Sequence, residues 1–442
     1  MSKVDRARDK RSLSGGRNYS AVGRFGARLV LLGAFLPALV VSAPSMADDG
    51  PASNVVEALQ RRLDSGAVKL AYADDGKSYV PELLKAFRIP SDSQLLVFSA
   101  SSLQYDRIHP DTPRAIYYQD DAALGTVQNG RAIELIVSDK NSGVAFYTLD
   151  VNKADKPRFE RQTSVCMACH GYTSRWAPGL MVGNLDTGPN GQVLNSDPTR
   201  LFRLTDDRSP YDQRYGGWYI TGSTGAMKHR GNVVINPDDP MTLPAGGQNI
   251  LSLADRINLQ RYLSPGSDIV SMLTFEHQSG VSNLIARINA QHAGLSNDRL
   301  PPERRATQGE VDASIEELAR YLTFADQAPL PSPVEGSSSF TQTFPGQGPR
   351  DGQGRSLRDF DLRTRVFRYP LSYMVYSQAF DNLNPAAKER VWRRLYDLLS
   401  GKDRSPDAPH IDPTGGAAAI AILAATRQGL PDYWKPIQVA AK

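Results

Sequence analysis

IELIVSDKNSGVAFYTL, residues 133–149, reads as two strands and the turn that joins them. Residues 133–137 and 144–149 are rich in β-branched and aromatic side chains, and Asn141-Ser142-Gly143 supplies turn chemistry. The pattern predicts an antiparallel hairpin. Upstream, residues 94–98 and 114–118 carry the same strand signature, and Asn129-Gly130 marks another turn, so the hairpin belongs to a larger β-rich region. A short helix is predicted before it over 54–65, where Val55, Leu59 and Leu63 recur at a spacing of four.

Downstream the pattern changes. Residues 171–235 are rich in Gly, Pro, Asp and Arg and lack helical periodicity; within them 218–221 and 232–235 are short strand candidates around a glycine-rich turn. From Ile269 the chain turns helical. Ile269, Leu273, His277, Val281, Leu284 and Ile288 recur at three and four, which predicts an amphipathic helix with His277 facing inward. Further helices are predicted over 311–324, 371–380, 385–399 and 415–426. The Pro/Gly/Ser-rich stretch 327–357 reads as a linker or as a loop packed on another surface.

Between the two regions stands Cys166-Met167-Ala168-Cys169-His170, and its cysteines are the only two in the chain. C-x-x-C-H is the attachment sequence for c-type haem. Each thiol adds across one vinyl group, and the adjacent imidazole becomes an axial ligand of the iron. A thioredoxin-like thiol pair would need a βαβ setting, and the flanks here are loop-like. Two cysteines are also too few for a disulfide scaffold. The expected cofactor is therefore haem c, held by Cys166, Cys169 and His170.

The N-terminus reads as an export signal. Eight basic residues lead into the thirteen uncharged, largely apolar residues 29–41, and Ser45-Met46-Ala47 is a small-x-small cleavage site. The apolar stretch is short for a membrane span, and nothing after residue 47 is long and apolar enough to supply one. Residues 1–47 hold eight basic and two acidic residues, so the remainder carries 43 basic against 45 acidic, about −2. That balance gives no warrant for nucleic-acid binding. A periplasmic location agrees with covalent haem.

The sixth iron position decides between electron transfer and ligand chemistry. His229 heads the alternatives, because Gly225 and Gly231 flank it and let the backbone approach a flat cofactor. His277, Met181, Met227 and an open position stand beside it; an inward histidine such as His277 is more often a satisfied core residue. His109, His292 and His410 read as surface histidines. For the haem carboxylates, Arg175, Arg200, Arg203, Arg214 and Arg230 lie in the wrapping segment. Trp176, Trp218 and Tyr219 are aromatic residues that could cover the ring.

From about residue 90 onward the chain resembles a family of exported bacterial proteins that carry a single c-type haem motif, cytochrome c-like and of unassigned role. The likeness runs through residues 113–117, 158–162 and 166–171, then 216–222 with His229 and Gly231-Asn232, then Glu276-His277-Gln278 and residues 354–358. It implies an exported haem protein and raises both His229 and His277. This chain has Ser282 where relatives often carry a histidine before Asn283-Leu284, which argues against a second metal site on that helix. A weaker likeness links residues 94–170 to haem-bearing sensor domains of the PAS type.

The expected fold is α+β: a β-rich N-terminal haem-binding region over 48–306, then a helical C-terminal region over 307–442. The expected function is single-electron transfer by a periplasmic mono-haem c-type cytochrome with a redox partner protein. A haem-dependent oxidoreductase, peroxidase-like, and a haem sensor module remain open beside it.

Overall fold

A computed structural model describes residues 51–171, 173–194, 204–239, 247–295, 297, 301, 303 and 305–434. The expected leader, together with Arg200 and Arg203, lies outside them. Strands precede most of the helices along the chain, and the fold is α+β.

Its centre is a seven-stranded antiparallel sheet. The strands are β1 (Leu95–Val97), β2 (Arg114–Gln119), β3 (Ala122–Thr126), β4 (Ala132–Asp139), β5 (Gly143–Asp150), β6 (Phe159–Gln162) and β7 (Trp218–Tyr219). They lie in the order β6-β5-β4-β3-β2-β1-β7. From β1 to β6 each strand pairs antiparallel with its successor in a meander, with short turns between β2, β3, β4 and β5 and longer connections at either end. The predicted hairpin is β4–β5, paired from Ala132↔Asp150 to Asp139↔Gly143.

Alternation along the strands splits the core in two. Ala115, Tyr117, Leu124, Ile133, Leu135, Val137 and Leu149 face one way, onto α1 (Val55–Asp64) and α2 (Val80–Ala86). Asn54 caps α1, accepting from Val56 N and Glu57 N, and its Nδ2 donates to Asp139 at 2.7 Å, which ties the helix to the hairpin. Ile116, Tyr118 and Ala123 face the other way, onto α4 (Ile269–Leu295).

α4 departs from the expected amphipathic helix. Ile269, Leu273, His277, Val281, Leu284 and Ile288 are buried as predicted, but so are Ser271, Thr274, Glu276, Gln278 and Ser279. The first half of the helix is enclosed, and along its length it touches β5, α5 (Gln308–Leu322), α6 (Phe340–Gly346) and α7 (Gln378–Asp381). Ser271, Thr274, Glu276 and Gln278 accordingly find partners inside the protein, while Ser279 Oγ is buried without one. Arg214 pairs with Glu276 at 2.8 Å, both essentially inaccessible, and Tyr215 donates to the same carboxylate oxygen.

The 327–357 stretch packs on the core and contains the helix α6. Leu330, Val334, Phe340, Phe344 and Leu357 are buried in it, and Ser338 binds Asp268 at the start of α4. Two more helices, α8 (Pro385–Leu399) and α9 (Pro413–Thr426), follow the predicted spans; 371–380 is instead a 3₁₀ turn (Tyr373–Tyr376) followed by the short α7. Residues 232–235 form no strand. The Asn232 side chain takes that place, accepting from Ile220 N at 2.8 Å and donating to Ile220 O at 2.7 Å. The described residues from 51 to 434 form one compact unit, and one core cluster takes residues from both sides of position 306. Among the described residues, no helix is long and apolar enough to cross a membrane.

Candidate functional site

The cysteine motif forms α3 (Met167–His170), a single helical turn after β6. Cys166 O accepts from His170 N at 3.0 Å and from Cys169 N at 3.3 Å. Spacings of three and four bring Cys166, Cys169 and His170 to one side of the turn. Both thiols are free and half-buried.

His170 is oriented from behind. Its Nδ1 donates to the Gly179 carbonyl at 2.7 Å, and its ring lies 4.8 Å from that of Phe146. A carbonyl only accepts, so Nδ1 carries the proton and Nε2 keeps its lone pair in the neutral ring. Burial lowers the imidazole pKa, which favours that neutral form; the bond to Gly179 opposes it. This is the arrangement that metal-binding histidines use, with the second nitrogen fixed by a backbone carbonyl. The loop is fixed in turn by α4. Asn283 Oδ1 accepts from Leu180 N at 2.8 Å, and Asn283 Nδ2 donates to Leu180 O at 2.9 Å.

Cys166 and His170 line a cavity of about 90 Å³ against the sheet. Ile116, Ala123, Gly125, Ile136 and Phe146 contribute from the strands, with Leu180, Met181 and Phe275 opposite, and Arg114 and Glu134 are its charged members. Leu103 in the lining is 41% exposed, and Val165, next to Cys166, is 44% exposed. Among the described residues no cluster of three or more His, Cys, Asp or Glu could hold a metal ion. A haem iron asks the protein for only one or two axial ligands.

The donor set fits a c-type haem: two thiols one turn apart and an imidazole whose Nε2 is available. The enclosed space is smaller than the ~300–1,000 Å³ of typical cofactor pockets. That space does not enclose a whole porphyrin, and Leu103 of its lining is exposed to solvent.

The other expected site residues lie elsewhere. His229 is buried but does not line this cavity; Gly231 N donates to its Nδ1 at 3.1 Å, and its ring stands edge-on to Tyr215 at 5.9 Å. Burial pushes its pKa down to about 4. His277 has both nitrogens engaged, with Asp207 and with Ser372 at 2.7 Å each, and stacks on Tyr321. It is the satisfied core histidine that its inward position implied. Met227 is fully buried outside the cavity, whereas Met181 lines it.

Arg175 pairs with Glu310, Arg214 with Glu276 and Arg230 with Asp186; none lines the cavity, and neither do Trp176, Trp218 or Tyr219. The cation at the cavity is Arg114, which stands on β2, well before the motif. Neither Arg114 nor Asn283 carries a local sequence signal for its place, because strand pairing and helix packing bring them there. Comparison with family models, with curated proteins and with solved structures finds no match to this chain.

Proposed function

We propose that the chain is an exported, periplasmic mono-haem c-type cytochrome that exchanges single electrons with a redox partner protein. The observation that supports it is the turn of C-x-x-C-H set against an apolar cavity with His170 Nδ1 bonded to the Gly179 carbonyl. Haem c bound there supplies a one-electron iron couple. Cys166 and Cys169 are the attachment thiols, and His170 presents Nε2. Gly179, clamped through Leu180 to Asn283, holds the ring orientation. Met181 lines the same cavity and His229 does not, so Met181 would be the side chain to supply a second iron ligand. The apolar lining would exclude water from the bound group, and the exposed Leu103 would leave a side open to a redox partner.

Expression in a host that matures c-type cytochromes tests the reading. The expected product carries one covalent haem by intact mass and gives a c-type pyridine haemochrome. Met181→Ala is expected to abolish a low-spin ferric spectrum that His229→Ala preserves. Bare apoprotein overturns the proposal. One observation favours a haem-dependent oxidoreductase as a second reading. A cavity of about 950 Å³, lined by Trp176, Asn289 and His292, borders residues 175–178 of the loop that follows the motif. Peroxide turnover with a high-spin ferric spectrum would decide for it.

A further inference from the structure

Arg114 and Glu134 meet over a gap in the sheet. Arg114 lies on β2 and Glu134 on β4, and Gly125 on the intervening β3 pairs with both Ile116 and Glu134. A Cβ at position 125 would overlap the Arg114 guanidinium. Glycine there lets Arg114 cross β3 and reach Glu134 at 2.6 Å, with the two side chains 20% and 15% exposed. The carboxylate is held a second time: Gln104 Nε2 donates to its other oxygen at 2.9 Å, while Gln104 Oε1 accepts from Arg131 N at 2.6 Å.

Arg114 is less well served. Its Nε is buried without a partner. The guanidinium is partly exposed, but a buried donor left unused on it is costly unless something completes it. Both charges also stand at the attachment site: Arg114 and Glu134 line the same cavity as Cys166 and His170.

A haem carries two carboxylates, and the planar fork of an arginine matches a carboxylate. We propose that Arg114 receives a haem carboxylate and that Glu134, fixed by Gln104, counterbalances it, so that the pair sets the reduction potential of the iron. The inference rests on the haem reading above. Ferric haem carries one more positive charge than ferrous haem. Arg114 therefore favours the reduced state and Glu134 the oxidised one.

The test is the midpoint potential of the holoprotein, after intact mass has established that haem is attached. Arg114→Gln is expected to lower the potential and Glu134→Gln to raise it. Each change should be about tenfold in the redox equilibrium constant, or ~59 mV for one electron. Arg114→Lys, which keeps the charge, is expected to stay near the wild-type value and serves if the glutamine variant does not fold. Shifts of the same sign, or none, in haem-loaded variants overturn the inference while leaving the attachment site standing. Wild-type protein without haem overturns the reading of the site itself, and this inference with it.

Discussion

At the scale of the residue, His229 separates burial from ligation. Its imidazole is enclosed without a carboxylate or carbonyl partner at Nδ1, and burial lowers its pKa from 6.5 to about 4. An unfolded chain takes up this proton as pH falls through 6.5, whereas the folded chain resists until about 4. Stability is therefore fully present above pH 6.5 and falls across this window, by about 3 kcal/mol for this group alone. His229→Asn is expected to flatten the acid limb of the stability profile between those values, measured by urea titration at several pH values. An unchanged slope would remove the buried neutral histidine from the account. Asn283 acts at one remove, by holding the loop whose carbonyl orients His170. Asn283→Ala is expected to broaden the ferric resonance spectrum of the haem-loaded protein while leaving the covalent mass intact; Asn283→Asp, which retains the acceptor for Leu180 N, should recover part of the effect. The C-x-x-C-H turn was legible because the thioether chemistry proposed for it needs a local spacing. Asn283, Arg114 and Glu134 were not, because their positions depend on contacts between residues 20 to 103 apart in the chain, which no short pattern records.

At the scale of the element, strands rich in β-branched and aromatic residues were readable and those without them were not. β2, β4 and β5 announce themselves, but β3 is Ala-Ala-Leu-Gly-Thr, a composition with low strand preference. Its small side chains suit its position, since Ala123 and Gly125 leave space beneath the cavity and beneath Arg114. α4 was readable as a helix from its spacing, yet its enclosure was not, because periodicity reports one apolar face and is silent about a polar face that packs on other protein. The packing of α4 on α5 depends on Gly280, where a Cβ would overlap the phenol ring of Tyr321. Tyr321 cannot easily give way. It is buried, stacked on His277 at 5.3 Å, and its hydroxyl accepts from Asp207 N. Gly280→Ala gains about 1 kcal/mol of helix propensity but overpacks a rigid contact at a cost of ~1–3 kcal/mol. A net loss of up to ~2 kcal/mol is expected as a lower urea midpoint with an unchanged slope. A midpoint at or above that of the wild type would mean the two helices can part freely.

At the scale of the whole molecule, the expected boundary near residue 306 falls within a shared core. Val281, Leu284 and Ile288 of α4 belong to the same cluster as Ile315, Leu318 and Leu322 of α5, and Tyr118 of the sheet lies 6.1 Å from Phe340 of the later loop. A polar contact crosses the same line, His277 to Ser372, and the apolar cluster that holds Tyr118 reaches as far as Trp434. A chain ending at 306 would leave α4 bare on the side that α5, α6 and α7 cover, and with it the buried charge of Glu276 closer to water. Composition suggested two regions because strands and helices are segregated along the sequence, but segregation in sequence does not require separate cores: the helices after 306 close the layer over α4 that the sheet begins. The fragment 48–306 is accordingly expected to lack a cooperative thermal transition and to bind a hydrophobic dye, as a loosely packed state does, while the chain from 48 to 442 binds little. A sharp, independent transition in the fragment, followed by circular dichroism in the near ultraviolet, would show instead that the sheet and α4 need no cover to fold, and that the helical half is an addition to a finished domain.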